Sequence, residues 1–318
     1  MFTSIIADIE PILRLIWQDV LAHLLSPNKR LYWGYILSTL FLIMLVFTLD
    51  YRRTGQWNWR KAFGRDILLH SSSRLDSKIW FINLFIKAWV ITPLLFSVAP
   101  IAIFVHNSLN NIFGVVTFTP PEDWVVLTSF TLFLFLLDDF TRFLLHWLMH
   151  KVPLLWRFHQ VHHSAEVMTP LTVYRTHPLE SFLYAARLLL VNAITIGIGV
   201  YLFKAKLSFY DIAGANVGVF LFNLLGSNLR HSHVWLSWGK QLENWLISPA
   251  QHQIHHSLAQ EHWDKNYGTA LAIWDRIWGT LVKGSEVKDE LRFGINDKKI
   301  NTLNDAYFGP FRRSKQKP

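Results

Sequence analysis

The chain reads as an all-α integral membrane helical bundle with a cytoplasmic, histidine-rich metal-binding cap. Three observations predict this. Long apolar stretches recur along the 318 residues, basic residues are confined to particular connections, and histidines gather beside the ends of the apolar stretches. The chain is 51% hydrophobic and holds 15 Trp and 24 Phe. A large soluble helical protein is the competing reading, but five such stretches would overfill a single soluble core.

Residues 1–30 carry Asp8, Glu10 and Asp19 among scattered apolar residues. That pattern suits an amphipathic helix on the membrane surface better than a cleaved leader. Leu31 to Leu49 is uncharged and ends at Asp50-Tyr51-Arg52-Arg53; at ~1.5 Å per residue it nearly crosses a ~30 Å hydrocarbon layer. Ile79 to Val105 is a second stretch, interrupted by Lys87, Pro93 and Pro100. Trp124 to Leu137 opens a third after the turn Pro120-Pro121-Glu122-Asp123, and its helix should run to about Lys151 and stop before Pro153. Phe182 to Phe203 is a fourth, with Arg187 expected to snorkel. Phe209 to Leu225 is a weaker fifth. Trp235, Trp238 and Trp245 read as an interfacial belt, with a wall against substrate as the alternative. The chain divides into residues 1–120 (surface helix and two spans), 121–285 (histidine-bearing domain) and 286–318 (polar basic tail).

A net charge of +9 in a soluble protein would suggest nucleic acid. Here the charge follows the membrane and implies no nucleic-acid partner. Residues 50–78 hold seven Lys or Arg, 106–122 hold none, 141–181 hold four, and the chain after Leu229 holds thirteen. Positive connections stay cytoplasmic, so the histidines and the C-terminal region are expected there. Five spans put the N-terminus outside, opposed weakly by Lys29 and Arg30; re-entrant early spans are the alternative. The absence of cysteine excludes thiolate-ligated haem, cysteine-held iron–sulfur clusters and disulfides.

Twelve of the fifteen histidines lie between His146 and His262. Three words dominate: His146-x-x-x-His150, His159-x-x-His162-His163 and His252-x-x-His255-His256. Imidazole is the commonest metal-binding side chain near neutral pH, and histidines three or four apart share a helix face. Eight imidazoles exceed one zinc site of three or four ligands and suit two metal ions in one pocket. Zinc, iron, copper and nickel all accept imidazole. Two irons held by four or five imidazoles each would leave positions open for dioxygen, and no Glu-x-x-His of the soluble di-iron bundles accompanies them.

The chain resembles the fatty acid hydroxylase and sterol desaturase superfamily of integral membrane oxidases over roughly residues 120–285. The resemblance is carried by Asp138-Asp139-Phe140 ahead of the first histidine pair, Trp156-Arg157-Phe158 leading into the second word, Arg175-Thr176-His177-Pro178-Leu179-Glu180, Ser248-Pro249 before the third word, Asp264-Lys265-Asn266-Tyr267-Gly268 and Trp274-Asp275-Arg276-Ile277-Trp278-Gly279-Thr280. It implies a non-haem di-iron site that uses dioxygen to hydroxylate or desaturate a lipid. The implied ligands are His146, His150, His159, His162, His163, His252, His255 and His256, with His231 as the ninth. His233 stands where the family often has Asn and reads as supporting or exposed.

Several residues keep two readings. Asp139 lies seven before His146 and either orients that ring or pairs with Arg142. Asn266 either holds a metal-bound water or forms a turn. His177, before Pro178, either supports the site or caps a helix. His262 reads as a surface or supporting residue, and Asp275 and Arg276 as an ion pair. No reductase segment is visible, so a separate electron donor is implied; ether-lipid monooxygenases that draw on a pterin fall in the same superfamily. The lipid, the choice between hydroxylation and desaturation, and the oligomeric state are not encoded. The host membrane is a bacterial inner membrane or endoplasmic reticulum. A membrane zinc hydrolase would want a Glu beside its ligands, as in His-Glu-x-x-His, and a metal- or haem-binding transporter would place its histidines within the bilayer.

Overall fold

The computed structural model describes residues 14, 17–18, 20–57, 59–95, 97–119, 121–204, 211–212, 215–287, 290–295 and 299–312. The expected surface helix falls largely on residues outside this set, as do Pro120 and the basic residues 313–317. Among the described residues, four helical runs are long and apolar enough to cross a membrane: Trp33–Thr54, Ser71–Phe113, Asp123–Lys151 and Pro178–Phe203.

Helix α1 (Trp33–Thr54) buries Tyr35, Thr39, Ile43 and Phe47, a single stripe at four-residue spacing. Its other faces expose Leu37, Phe41 and Met44, as lipid-facing surface does. Ile43 and Phe47 pack on Leu229 and Val234, so α1 supports the segment that carries His231. The second run begins with α2 (Ser71–Ile86), widens into a π-turn at Lys87–Ile91 and breaks after Leu94. Pro93 cannot donate a backbone hydrogen bond into the preceding turn, and a π-turn absorbs such a defect. The helix resumes as α3 (Val98–Phe113), which lies along the helix Pro178–Phe203. The crossing is close because residue 197 is Gly: a Cβ there would meet Ala102 O at 2.7 Å.

Helix α4 (Asp123–Lys151) ends where the sequence predicts, before Pro153, which becomes the first residue of α5 (Pro153–His163). From Asp123 to His146 is ~34 Å of helix, so His146 and His150 emerge past the hydrocarbon layer. Helix α6 (Pro178–Phe203) is capped by His177, whose ring accepts from Leu179 N. Arg187 on α6 does not snorkel. It donates to Asp138 Oδ1 (2.8 Å) and Thr141 Oγ1 (2.8 Å), which fastens α6 to α4.

The expected fifth span over Phe209–Leu225 is not a continuous helix. Among the described residues a two-residue hairpin, β1 (Asp211–Ile212) with β2 (Ala215–Asn216), precedes α7 (Val217–Leu224). Eight residues reach only ~12 Å, too short to cross. The segment instead descends along α4: the Asn216 amide donates to Thr131 O (3.4 Å), and Gly218 sits so close to Phe135 that a Cβ would come within 2.6 Å of its ring. It delivers the chain to the 3-10 turn Ser227–His231. The cap continues with α8 (Pro249–His255), whose N-terminus is closed by a reciprocal Ser248–Gln251 box, and α9 (Ile273–Trp278).

The expected polar tail over 286–318 is only partly polar. Ile300 and Ala306 pack into a core with Leu75, Ile79 and Val161, and α10 (Leu303–Phe308) closes over α2. Behind this core lies Arg175, fully buried. It pairs with Asp76 (2.8 Å) and donates to Val161 O, Ser164 Oγ and Ile300 O.

Candidate metal centre

All nine histidines expected at the site converge. They form two adjoining groups, and within each group the ligand atoms lie within 4.8 Å of one another: His146, His150, His159, His163 and His255 in one, His162, His231, His252 and His256 in the other. All nine are buried. Helix geometry explains the doubled word. At about 100° per residue, positions i and i+4 point about 40° apart, whereas i+3 and i+4 diverge by about 100°. His159 and His163 therefore serve one group while His162 turns to the other. In the second word the assignment is mirrored: His252 and His256 face the second group and His255 the first. The groups touch where His163 stacks on His256, with ring centroids 4.4 Å apart.

Three outer nitrogens of the first group are held by fixed partners. His146 Nδ1 donates to Tyr267 O (2.8 Å) and His255 Nδ1 to Lys265 O (2.7 Å). His159 Nδ1 meets Glu180 Oε1 at 3.0 Å. Each bond puts the ring proton outward and turns the Nε2 lone pair inward, the arrangement that orients a metal ligand. At His252 the polarity reverses: the Arg230 guanidinium can only donate, and it does so to Nδ1 at 2.8 Å. That places the proton of a neutral ring on Nε2, so binding through Nε2 must release it.

Burial comes first and mutual repulsion second in holding His162, His163, His231 and His256 well below the ordinary imidazole value. His252 is lowered likewise, by burial and then by Arg230. Burial pulls His255 down to about 3. Neutral imidazoles at pH 7 are ready ligands. The fit to cations is good on geometry too. Nε2 of His150 and Nε2 of His255 are buried with no hydrogen-bond partner. Inner nitrogens face each other at 3.2 Å (His159–His163), 3.2 Å (His162–His231), 3.1 Å (His231–His252) and 3.2 Å (His252–His256). Two nitrogens on one ion, at bonds of ~2.1 Å, lie ~3.0–3.4 Å apart. The two groups can hold a pair of metal ions.

The other expected residues are placed differently. Asp139 touches neither His146 nor Arg142; its carboxylate accepts from Ala270 N (2.8 Å), Leu271 N (3.1 Å) and Trp274 Nε1 (2.9 Å). It acts on the site by pinning the loop that carries Tyr267. Asn266, at φ +55°, donates to Gln251 O and Val282 O and accepts from Val282 N; it clasps two segments behind the site. His177 caps α6 and meets Tyr307 O at 3.1 Å, outside both groups. His233 accepts from Met168 N (3.1 Å), also outside them. His262 is buried rather than exposed and belongs to neither group. Asp275 does not pair with Arg276. It accepts from Tyr267 N, Gly268 N and Thr280 Oγ1, while Arg276 lies over Trp245 at 4.8 Å. Trp245 and Trp235 are exposed, whereas Trp238 lines an apolar cavity.

Three contributors escaped the sequence. The carbonyls of Lys265 and Tyr267 orient ligands, and backbone oxygens leave no residue signature. Glu180 had a findable signal: it is the one acidic residue of a largely apolar helix, in its first turn.

Residues 131–280 match the family model for fatty acid hydroxylase. The chain is similar to alkylglycerol monooxygenase from Homo sapiens, 30% identical over 152 residues that make up 48% of this chain and 30% of that protein. It is similar to ornithine lipid hydroxylase OlsE from Rhizobium tropici, 30% identical over 162 residues covering 51% and 44%. It is also similar to lathosterol oxidase from Mus musculus, 25% identical over 165 residues covering 51% and 48%. In these alignments the chain spans about a third to a half of each relative's length. No solved structure matches it.

Proposed function

We propose that this chain, which carries a fatty acid hydroxylase domain over residues 131–280, is an integral membrane oxidase that uses dioxygen and a histidine-held pair of iron ions to hydroxylate or desaturate a lipid. One observation carries the reading: nine buried imidazoles form two touching groups, and two of them, His146 and His150, lie in the last turns of an apolar helix long enough to cross a membrane. The named activities of the relatives, oxidation of an alkylglycerol, an ornithine lipid and a sterol, supply the substrate class. Iron is favoured over zinc because nine ligands exceed what closed zinc sites use.

Bound iron would supply oxygen activation and removal of hydrogen from an unactivated C–H bond. The protein supplies the rest. His146, His150, His159, His163 and His255 hold one ion; His162, His231, His252 and His256 hold the other. Tyr267 O, Lys265 O and Glu180 fix ring orientation. Asp139 and Asp275 fix the loop behind them, and burial keeps bulk water from the centre. A separate electron donor on the cytoplasmic side, either a protein or a small reductant, completes the cycle. The positive connections support that side, in a bacterial inner membrane or endoplasmic reticulum. Residues 1–120 form the supporting spans, and 121–285 form the catalytic domain.

The test is lipid mass spectrometry of cells with and without the gene, grown under isotopically heavy dioxygen. One heavy oxygen gained by a lipid indicates hydroxylation; loss of two hydrogens without label indicates desaturation. A lipid profile that is the same with and without the gene, at any oxygen tension, rejects the reading.

A further inference from the structure

Two arginines, Arg30 and Arg230, meet on one aromatic ring beside the histidine centre. Arg230 precedes His231 and touches His252 Nδ1. Arg30 is held next to the same turn because the Asn228 amide donates to its carbonyl (3.1 Å). Arg30 and Arg230 share one ring: their guanidinium carbons lie 6.0 and 5.6 Å from the centroid of Phe222 on α7.

The charges here do not balance. Asp138 is shared by Arg142 and Arg187. Asp139 is spent on three N–H donors. Arg230 reaches only the carbonyls of Thr269 and Gly268, besides His252. The Arg30 side chain makes no hydrogen bond or ion pair among the described residues, only the ring contact. Enclosed charge without a counter-ion is costly, and metal ions in the adjoining centre add more of the same sign. Opening beside Arg230 is a cavity of about 270 Å³ lined by Phe135, Leu221, Phe222, Leu225 and Leu246, apolar enough for a hydrocarbon chain.

We propose that Arg30 and Arg230 seat the anionic headgroup of the lipid substrate, a phosphate or carboxylate, while its hydrocarbon chain lies in the apolar cavity. The substrate class is thereby narrowed to acidic lipids, oxidised at a carbon within a few bonds of the acidic group. This deepens the lipid-oxidase reading and rests on it.

The test measures binding to the full, metal-loaded chain in detergent, with 1-oleoyl lysophosphatidate, oleate, monooleoylglycerol and inorganic phosphate as probes. The two acidic lipids should bind at least about 10-fold tighter than monooleoylglycerol, the advantage expected of a charge-assisted contact in an enclosed site. Arg30→Gln should remove most of that advantage at unchanged metal content, and Arg30→Lys should keep it. Inorganic phosphate should compete only at far higher concentration. Equal affinity for the neutral lipid overturns the seat, as does an unaltered preference in Arg30→Gln. Free phosphate binding as tightly as lysophosphatidate overturns the lipid assignment. If Arg30→Gln does not load metal, the wild-type comparison decides alone. Binding is read without turnover, so acidic preference without oxygen-dependent product rejects only the oxidase reading. Product from neutral lipids without acidic preference rejects only the seat.

Discussion

Replacing His255 with alanine is expected to strip one of the two metal ions from the chain and to lower oxygen-dependent product formation by about 100-fold or more. His255 packs against His146, His150 and His163 at centroid distances of 4.5, 4.8 and 4.8 Å, and its Nε2 is one of the two buried nitrogens in the first group left without a partner. The second group, His162, His231, His252 and His256, keeps its full set in this variant. Metal analysis of the purified protein should thus fall from two ions to one, not to none. His262→Ala is the matched control: His262 is also buried but lies outside both groups, so that variant should retain both ions. Two ions retained in His255→Ala would break the assignment of the first group.

The second large effect is on stability. Arg175→Met should destabilise the fold by roughly 3–5 kcal/mol, the cost of stranding one partner of a buried ion pair. Arg175 and Asp76 are both fully buried, and the guanidinium also ties α5, the Ser164 hydroxyl and the Ile300 carbonyl together. A protein of this size should lose about 10 °C or more in Tm, read by thermal scanning in detergent. Adding Asp76→Asn should recover part of the loss, because the stranded carboxylate is then neutral. A loss below about 1 kcal/mol for Arg175→Met, or no recovery in the double variant, would show that the pair is not the clamp between α2 and α5.

What the sequence made legible follows from which interactions leave a mark in residue type. The H-x-x-H-H words announce their geometry, because spacings of three and four on a helix fix which rings share a target. The end of α4 before Pro153 and the break near Pro93 follow from a missing amide hydrogen. Arg187 misled because a lone arginine in an apolar helix looks the same whether it snorkels or finds an acid on the next helix. Asp139 misled in a related way: spacing aligned it with His146, but its donors come from residues 270–274, more than a hundred positions away. Phe209–Leu225 is apolar enough to suggest a span, yet among its described residues a hairpin and a closely packed Gly218 stand where a continuous helix was expected. The C-terminal segment looked polar on average, and its two buried anchors, Ile300 and Ala306, are too sparse to register as a pattern. Arg30 sits in no motif at all; only the fold brings it beside Arg230.

Iron stoichiometry of the full chain, purified from iron-replete cells without exposure to chelators, tests the central claim most directly. Two iron atoms per chain, both lost when His163 and His256 are replaced together, is the expected result. A single metal ion per chain, or none retained by protein that is otherwise folded, would contradict a paired centre built from these nine histidines.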